Sequence, residues 1–296
     1  MTVRLTAADI ALLVLLCASW GFAQVAMKLG GEGISPLVQA GLRSALAVPP
    51  VLAWCWWRGV VLLKRDGSLP AGLLCGALFA LEFWAIFAAL ERTTAARVVV
   101  LLYTGPFFAT IATHFLLRDD RLTPRKLTGL LMALCGPPLI FADRLGGAQL
   151  VGDALALLAG LAWGGTIATI KTSRLTRIAP ERTLLYQLLV SAFLIPLGYA
   201  LGEAGIFAPS AVVWWSLAYQ VLIVAVASYI AWFWMVARHP ASRLAPFLFL
   251  TPAFGVVFGA IFLAEPVTPG LLGALLLICG GIVIVNRAGP RERNPE

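Results

Sequence analysis

Charged side chains are scarce in this sequence. Asp, Glu, Lys and Arg make up 12% of its 296 residues, hydrophobic residues make up 60%, and the mean hydropathy is +0.91. An average soluble domain carries about a quarter charged residues. The chain therefore has too little polar surface for a soluble globule.

The sequence also lacks the residue patterns of metal, disulfide and nucleotide sites. Its two histidines lie far apart, and its five cysteines fall in apolar stretches without the spacing of metal ligands or of a disulfide framework. A phosphate-binding loop of the form GxxxxGK[ST] is missing. We therefore expect no metal ion, no cofactor and no hydrolysis of ATP by the chain itself.

What the sequence has instead is a series of long apolar stretches. A helix needs about 20 predominantly apolar residues to cross the hydrocarbon core of a bilayer. Ten such stretches follow one another, at 8–28, 36–57, 70–90, 96–117, 126–142, 151–171, 183–201, 212–236, 244–263 and 270–286. They predict an all-α polytopic membrane protein with ten transmembrane helices.

The distribution of the basic residues indicates the orientation in the membrane. With a cytoplasmic N-terminus and alternating loops, 17 of the 22 Lys and Arg residues fall on the cytoplasmic side. Because basic loops are retained in the cytoplasm, this bias predicts that both termini lie in the cytoplasm. The net charge of +8 thus reflects topology, and a nucleic-acid partner has no support.

The two halves of the chain repeat each other. Equivalent residues recur at offsets of 143 to 146 positions: Trp20 and Trp163, Gly21 and Gly164, Lys28 and Lys171, Pro106 and Pro252, Asp119 and Glu265. Because each half holds five spans, an odd number, the second copy enters the membrane from the opposite side. We expect two inverted five-helix repeats, 1–145 and 146–296, with a site at their interface near the membrane midplane. The alternative is a duplication that only builds a stable bundle.

These motifs resemble the EamA-type branch of the drug/metabolite transporter (DMT) superfamily, and the resemblance covers nearly the whole chain. It rests on the order of Trp-Gly in spans one and six, Thr251-Pro252, Leu263-Ala264-Glu265-Pro266-Val267-Thr268, and the first-half echoes Gly105-Pro106 and Asp119-Asp120-Arg121-Leu122-Thr123. The resemblance implies a ten-helix carrier of the bacterial inner membrane, commonly an exporter of small metabolites, and members similar to the YddG-type exporters handle amino acids. It also implies that spans one, three, four, six, eight and nine line the route.

Glu82 is the clearest candidate for a functional group inside the membrane. Ionisable residues deep in a span are costly and usually face a cavity or a partner, and Glu82 lies near the middle of the third span. Its carboxylate is expected to hold a substrate ammonium group, or to bind and release a coupling proton. The alternative is a buried acid satisfied by a neighbouring helix, arginine or hydroxyl.

Aromatic and amide side chains supply the other candidate substrate contacts, which are Trp20, Gln24, Tyr103, Trp163 and Tyr229. Gln24 follows Trp20 by one turn and shares its helix face. Tyrosine rings can line a cavity and still offer one hydrogen bond. Helix packing is the alternative for each of these residues.

Two further ionisable residues remain open at this point. His114 shares a helix face with Tyr103 but lies closer to the cytoplasmic end, and it is either a second proton-coupling residue or a packing histidine. Arg43, in the second span, either binds a carboxylate or extends its guanidinium to the membrane surface.

Together these features predict a secondary transporter that exports small metabolites, amino acids above all, by alternating access between the repeats. It is either coupled to protons or a plain facilitator, and it is not expected to be an enzyme. Two other classes stay open. One is an intramembrane enzyme that uses Glu82 and His114 as an acid–base pair, and the other is a membrane scaffold that transports nothing.

Overall fold

A computed structural model describes residues 5–62, 64–117, 123–142, 147–239 and 241–286, and most of these residues are helical. We number the helical regions of this part of the chain α1 (Ala7–Gly31), α2 (Pro36–Trp57), α3 (Leu69–Leu90), α4 (Ala95–Leu116), α5 (Pro124–Leu134 and Gly136–Ala142), α6 (Gly147–Thr172), α7 (Pro180–Ala200), α8 (Ala211–Arg238), α9 (Phe247–Leu263) and α10 (Pro269–Val285). Seven of them, α1 to α4 and α6 to α8, are long and apolar enough to cross a membrane, and α9 and α10 are shorter apolar helices. The chain is an all-α polytopic membrane protein.

Prolines set the start of four helices. Pro36, Pro124, Pro180 and Pro269 begin α2, α5, α7 and α10. Proline is well tolerated in the first helical turn, because the N–H that it lacks would have no partner within the helix. These prolines occupy equivalent positions in the two halves of the sequence, so the repeat extends to the helix starts.

Helix α4 is broken where the sequence places Pro106. Its first segment ends at Leu102 and its second begins at Gly105. A proline cannot donate to the carbonyl four residues earlier and its ring clashes with that carbonyl, which accounts for the break one turn before Pro106. The break leaves Tyr103 between the two helical segments.

Helix α8 departs from α-helical geometry in its middle. Residues Tyr219–Ser228 form a π-helical segment, and a regular α-helix resumes at Tyr229. The equivalent helix of the first half, α3, is α-helical throughout, including the turn that carries Glu82. The two halves therefore differ in backbone as well as in side chain where Glu82 corresponds to Ser228.

Glycines bring the central helices into close contact. A Cβ added at Gly21 of α1 would lie 2.7 Å from the Phe254 side chain of α9. A Cβ added at Gly164 of α6 would lie 2.6 Å from the Phe108 side chain of α4. The glycine of each Trp-Gly pair is thus where its helix packs against a helix of the other half. In the sequence repeat α6 corresponds to α1 and α4 corresponds to α9, so the contact of α6 with α4 is equivalent to the contact of α1 with α9.

The bundle has two ends that are built differently. We call one the Lys28 end: the Lys28 ammonium lies 2.9 Å from the Glu265 carboxylate, which also accepts hydrogen bonds from the backbone N–H groups of Ala95 and Ala96. Nearby, a buried ion pair joins Arg97 of α4 to Asp153 of α6. These contacts tie α1, α4, α6 and the loop after α9 together.

We call the opposite end the Arg174 end, and the α2–α3 and α6–α7 loops form it. The Arg174 guanidinium donates to the backbone carbonyl of Asp66, and the Arg182 guanidinium pairs with the Asp66 carboxylate. Hydrogen bonds from Ser68, followed by the charge of Arg182, hold the pKa of Asp66 well below its usual range. The ion pair between Asp66 and Arg182 therefore holds the loop before α3 against the start of α7.

Candidate functional site

A cavity of about 230 Å³ lies between the two halves of the bundle. All six residues proposed from the sequence as substrate contacts line it: Trp20, Gln24, Glu82, Tyr103, Trp163 and Tyr229. The structure thus brings together residues from α1, α3, α4, α6 and α8. Their contact with a substrate stays a prediction.

One acidic and one basic side chain line the cavity. Glu82 of α3 and Arg43 of α2 both line it, and their exposed fractions are only 7% and 1%. Among the residues that the structure describes, the Glu82 carboxylate accepts no hydrogen bond and forms no ion pair. Burying a charge is costly unless it is paired and hydrogen-bonded, so both groups have unused capacity for a polar ligand.

Arg43 does not extend to the membrane surface, so that alternative for its side chain was wrong. Its guanidinium carbon lies 3.9 Å from the centroid of the Phe83 ring, and its Nε and Nη1 atoms are buried without a hydrogen-bond partner in the described part of the chain. The neighbouring helices enclose the side chain completely. Helix α2 therefore also contributes to the lining of the cavity, although it is not among the spans that the family resemblance implied.

Two aromatic pairs form walls of the cavity. Trp20 and Trp232 meet edge to face with their ring centroids 5.6 Å apart, and Tyr103 and Trp163 do so at 5.3 Å. The first pair joins α1 to α8, and the second joins α4 to α6. Such edge-to-face pairs are preferred over direct face-to-face stacking, so each wall is ordered before any ligand enters.

A hydrogen bond fixes the first of these walls. The indole Nε1 of Trp20 donates to the hydroxyl of Ser228 at 2.8 Å, and that hydroxyl donates to the carbonyl of Val224 at 2.6 Å. The end of the π-helical segment therefore positions the Trp20 ring. The amide of Gln24, one turn further along α1, has its Oε1 buried without a partner among the described residues.

The cavity continues into a wider vestibule of about 480 Å³. Four residues line both spaces: Glu82, Trp163, Tyr229 and Trp232. From these residues the vestibule follows α6 and the α6–α7 loop, past Thr166, Thr176 and Thr183, towards the Arg174 end. A ligand at Glu82 therefore has a route to that end of the bundle.

His114 does not share this space. It is half-buried near the end of α4, its ring packs against Phe115 with centroids 5.0 Å apart, and it lines neither the cavity nor the vestibule. The structure does not bring His114 and Glu82 together as an acid–base pair would require. The proposed coupling role of His114 thus gains no geometric support.

Sequence reasoning missed several residues that line the cavity, among them Trp232, Thr251 and Phe83. A signal existed for Thr251, because it precedes Pro252 in the repeated proline position. Trp232 lies one turn after Ser228, the counterpart of Glu82, and that spacing places it on the same helix face. For Phe83 the sequence carries no signal besides its proximity to Glu82.

Comparison with protein families gives a match to almost the whole chain. The EamA-like transporter family model matches twice, at residues 8–142 and 150–287. A solved crystal structure shares the fold, with a TM-score of 0.66 and 19% identity over 95% of this chain and 98% of that one.

Several curated relatives are similar over nearly their full length. An uncharacterized transporter, YoaV, of Bacillus subtilis is 28% identical over 88% of this chain and 91% of its own. A probable amino-acid metabolite efflux pump of Escherichia coli is 27% identical over 96% of both chains. A probable terminal-alkyne amino-acid exporter of Streptantibioticus cattleyicolor is 26% identical over 95% of this chain and 94% of its own. These relatives are named as transporters or exporters and not as enzymes.

Proposed function

The chain belongs to the EamA-like transporter family, and on that premise we propose that it is a secondary transporter that exports amino acids from the cytoplasm. The observation that carries this proposal is the pair of opposite charges, Arg43 and Glu82, in one enclosed cavity. Relatives named for amino-acid efflux and amino-acid export agree with it.

An amino acid matches the charges of the cavity. Its ammonium group would donate hydrogen bonds to the Glu82 carboxylate. Its carboxylate would accept hydrogen bonds from the unpartnered Nε and Nη1 of Arg43. A guanidinium is well suited to carboxylates because its N–H groups form a rigid fork. The zwitterion would thus satisfy both buried charges at once, whereas a singly charged solute would leave one of them unpaired and an uncharged solute would leave both.

The aromatic walls fit the remainder of such a substrate. The pair Trp20 and Trp232 and the pair Tyr103 and Trp163 offer apolar ring surface to an apolar side chain. Ligand pockets are commonly lined by apolar and aromatic groups with a few placed polar groups that fix orientation. We therefore expect preference for amino acids with apolar side chains.

Alternating access between inverted repeats, 1–145 and 146–296, is the proposed mechanism. It is supported by the equivalent packing of α1 on α9 and of α6 on α4, because two equivalent interfaces can exchange roles. In the described state the vestibule extends towards the Arg174 end, and ion pairs hold the Lys28 end together. With the basic loops in the cytoplasm of a bacterial inner membrane, this is the cytoplasm-facing state.

Protons are the proposed coupling ion, and Glu82 is the residue that would carry them. The carboxylate lines both the cavity and the vestibule, so substrate and proton would compete for the same group. A proton bound at Glu82 would release the substrate ammonium group. His114 lies outside this route and is left out of the proposal.

The test is transport of three matched solutes by purified protein in liposomes. Leucine carries both charges, N-acetylleucine lacks the ammonium group, and leucinamide lacks the carboxylate. We expect leucine to move at least about tenfold faster than either derivative, because a hydrogen bond to a charged group contributes roughly 1.5–3 kcal/mol. Equal rates for all three would contradict recognition of a zwitterion, and lack of flux across a broad solute panel would remove the transporter function.

Two variants test which charged group of the substrate each residue binds. Glu82→Gln should slow leucine, leave N-acetylleucine unchanged and abolish the response to a pH gradient. Arg43→Gln should slow leucine and leave leucinamide unchanged. Glu91→Gln is the matched control, since its carboxylate is 44% exposed and lies outside the cavity. If Glu82→Gln keeps both flux and pH response, the coupling role is wrong.

A further inference from the structure

A groove of about 660 Å³ lies on the side of the bundle, where the ends of α2 and α8 meet the start of α7. Two arginines line it, Arg58 and Arg238, together with Trp54, Trp57 and Trp234. It is separate from the substrate cavity, with which it shares no residue. Neither the transport mechanism nor the packing of the bundle uses these arginines.

Both arginines are held above tryptophan rings at the protein surface. The guanidinium carbon of Arg238 lies 3.9 Å from the Trp234 ring centroid, and that of Arg58 lies 5.9 Å from the Trp54 ring. Both residues are exposed, as are Trp57 at 71% and Trp234 at 41%. These contacts with the rings keep the two cations at the groove.

An unused hydrogen-bond donor lies beside these cations. The indole Nε1 of Trp54 is buried and has no partner among the described residues. A buried N–H without a partner is costly, so an oxygen-rich group in the groove would satisfy it. The buried Glu181 also lines the groove, but its charge lies in the first turn of α7, where the helix N-terminus offsets it.

The position of the groove at the interface between bilayer and water indicates the class of ligand. Tryptophans concentrate where the bilayer meets water, and three of them surround this groove. Its apolar part is formed by Val60, Ile230 and Phe233, which suits acyl chains and not a soluble anion. Basic pockets between transmembrane helices bind anionic lipid headgroups.

We propose that this groove is a binding site for an anionic phospholipid. The phosphate lies between Arg58 and Arg238 and accepts the Trp54 N–H, and the acyl chains follow Ile230 and Phe233 towards the bilayer core. Phe233 and Pro180 also line the vestibule, so the bound lipid lies directly beside the proposed substrate route. The site does not depend on which solute the protein transports.

The experiment measures lipid retained by delipidated full-length protein. The protein is titrated in detergent with dioleoyl phosphatidylglycerol or with dioleoyl phosphatidylcholine, and native mass spectrometry counts the bound molecules. We expect selective retention of phosphatidylglycerol, and no competition from glycerol 3-phosphate at the same concentration. Equal retention of the two lipids would overturn the proposal, and so would displacement of the lipid by glycerol 3-phosphate.

Three variants locate the site. Arg58→Gln with Arg238→Gln should weaken phosphatidylglycerol binding by about fivefold for each arginine. Trp54→Phe keeps the ring below Arg58 but removes the donor, and should weaken binding by a smaller factor. Arg177→Gln, an exposed arginine at the same end that does not line the groove, is the control and should bind as the wild type does. Wild-type binding by both the double variant and Trp54→Phe would exclude this groove.

Discussion

Trp20 shows how one polar contact places an aromatic residue of the proposed site. Its indole N–H donates to Ser228 at 2.8 Å, and its ring meets Trp232 edge to face. The hydrogen bond spans 208 residues of sequence and joins α1 to the end of the π-helical segment. The aromatic wall therefore depends on a contact between the two halves of the chain.

A double-mutant cycle tests this contact. Trp20→Phe keeps a ring beside Trp232 but removes the donor, and Ser228→Ala removes the acceptor. We expect each variant to lower the free energy of unfolding by about 1 kcal/mol. The double variant should lose little more than the worse single variant, because both changes remove the same bond. Thermal unfolding of the four proteins in one detergent provides the measurement, and strictly additive losses would show that the bond contributes nothing.

At the scale of single residues, sequence reasoning is most informative where a polar group lies deep in a span. Burying the polar side chains of Glu82 and Gln24 in the hydrocarbon core costs free energy in every orientation. Their positions alone therefore indicate a cavity or a partner. Arg43 carries the same cost, but a long side chain can also reach the membrane surface. Only packing decides between these outcomes, and here Phe83 lies directly over the guanidinium.

The pairing of α4 with α6 depends on the absence of a side chain. A Cβ at Gly164 would lie 2.6 Å from the Phe108 side chain, 2.7 Å from the Gly105 carbonyl oxygen and 2.9 Å from the Ala109 nitrogen. Two of these three atoms belong to the backbone, which cannot move without shifting the helix. The next residue, Gly165, faces Leu78 instead, whose nearest side-chain atom would be 3.3 Å away.

These adjacent glycines form a matched pair for mutation. Gly164→Ala should lower the free energy of unfolding by about 1–3 kcal/mol, the usual cost of overpacking, and should slow transport because α4 carries Tyr103 and α6 carries Trp163. Gly165→Ala should be neutral or slightly stabilising, since alanine is favoured over glycine in a helix by about 1 kcal/mol. Thermal unfolding and leucine flux check both variants. Similar losses from the two would contradict the close approach at Gly164.

At the scale of helices, the apolar stretches predicted where helices lie but not how they are interrupted. The stretch 96–117 is divided between Leu102 and Gly105, a break that Pro106 signals because proline disrupts the preceding turn. The π-helical segment of α8 has no comparable signal. Nothing in the residues Tyr219–Ser228 demands an extra residue per turn, so that geometry depends on the helices packed around it.

Ion pairs join the two halves at both ends of the molecule, and the vestibule lies at the Arg174 end. Lys28 with Glu265, and Arg97 with Asp153, join both halves at the Lys28 end. The repeat in the sequence indicates that the two ends are built from equivalent residues, since Lys28 corresponds to Lys171 and Glu265 to Asp119, which lies outside the described residues. The end that is open depends on the conformational state of the protein. The sequence repeat cannot indicate that state, because both states have the same sequence.

Accessibility of an introduced thiol tests the proposed cytoplasm-facing state. Thr176 lines the vestibule, whereas Thr172 lies exposed at the same end and outside it. In a transporting background without the native cysteines, Thr176→Cys should react with a membrane-impermeant maleimide in inside-out vesicles and not in right-side-out vesicles. Saturating leucine should slow that reaction several-fold, because closing the vestibule buries position 176. Thr172→Cys should react from the same side at a rate that leucine leaves unchanged. Reaction of Thr176→Cys from the outer side would contradict the topology, and equal slowing of both thiols would contradict closure of the vestibule.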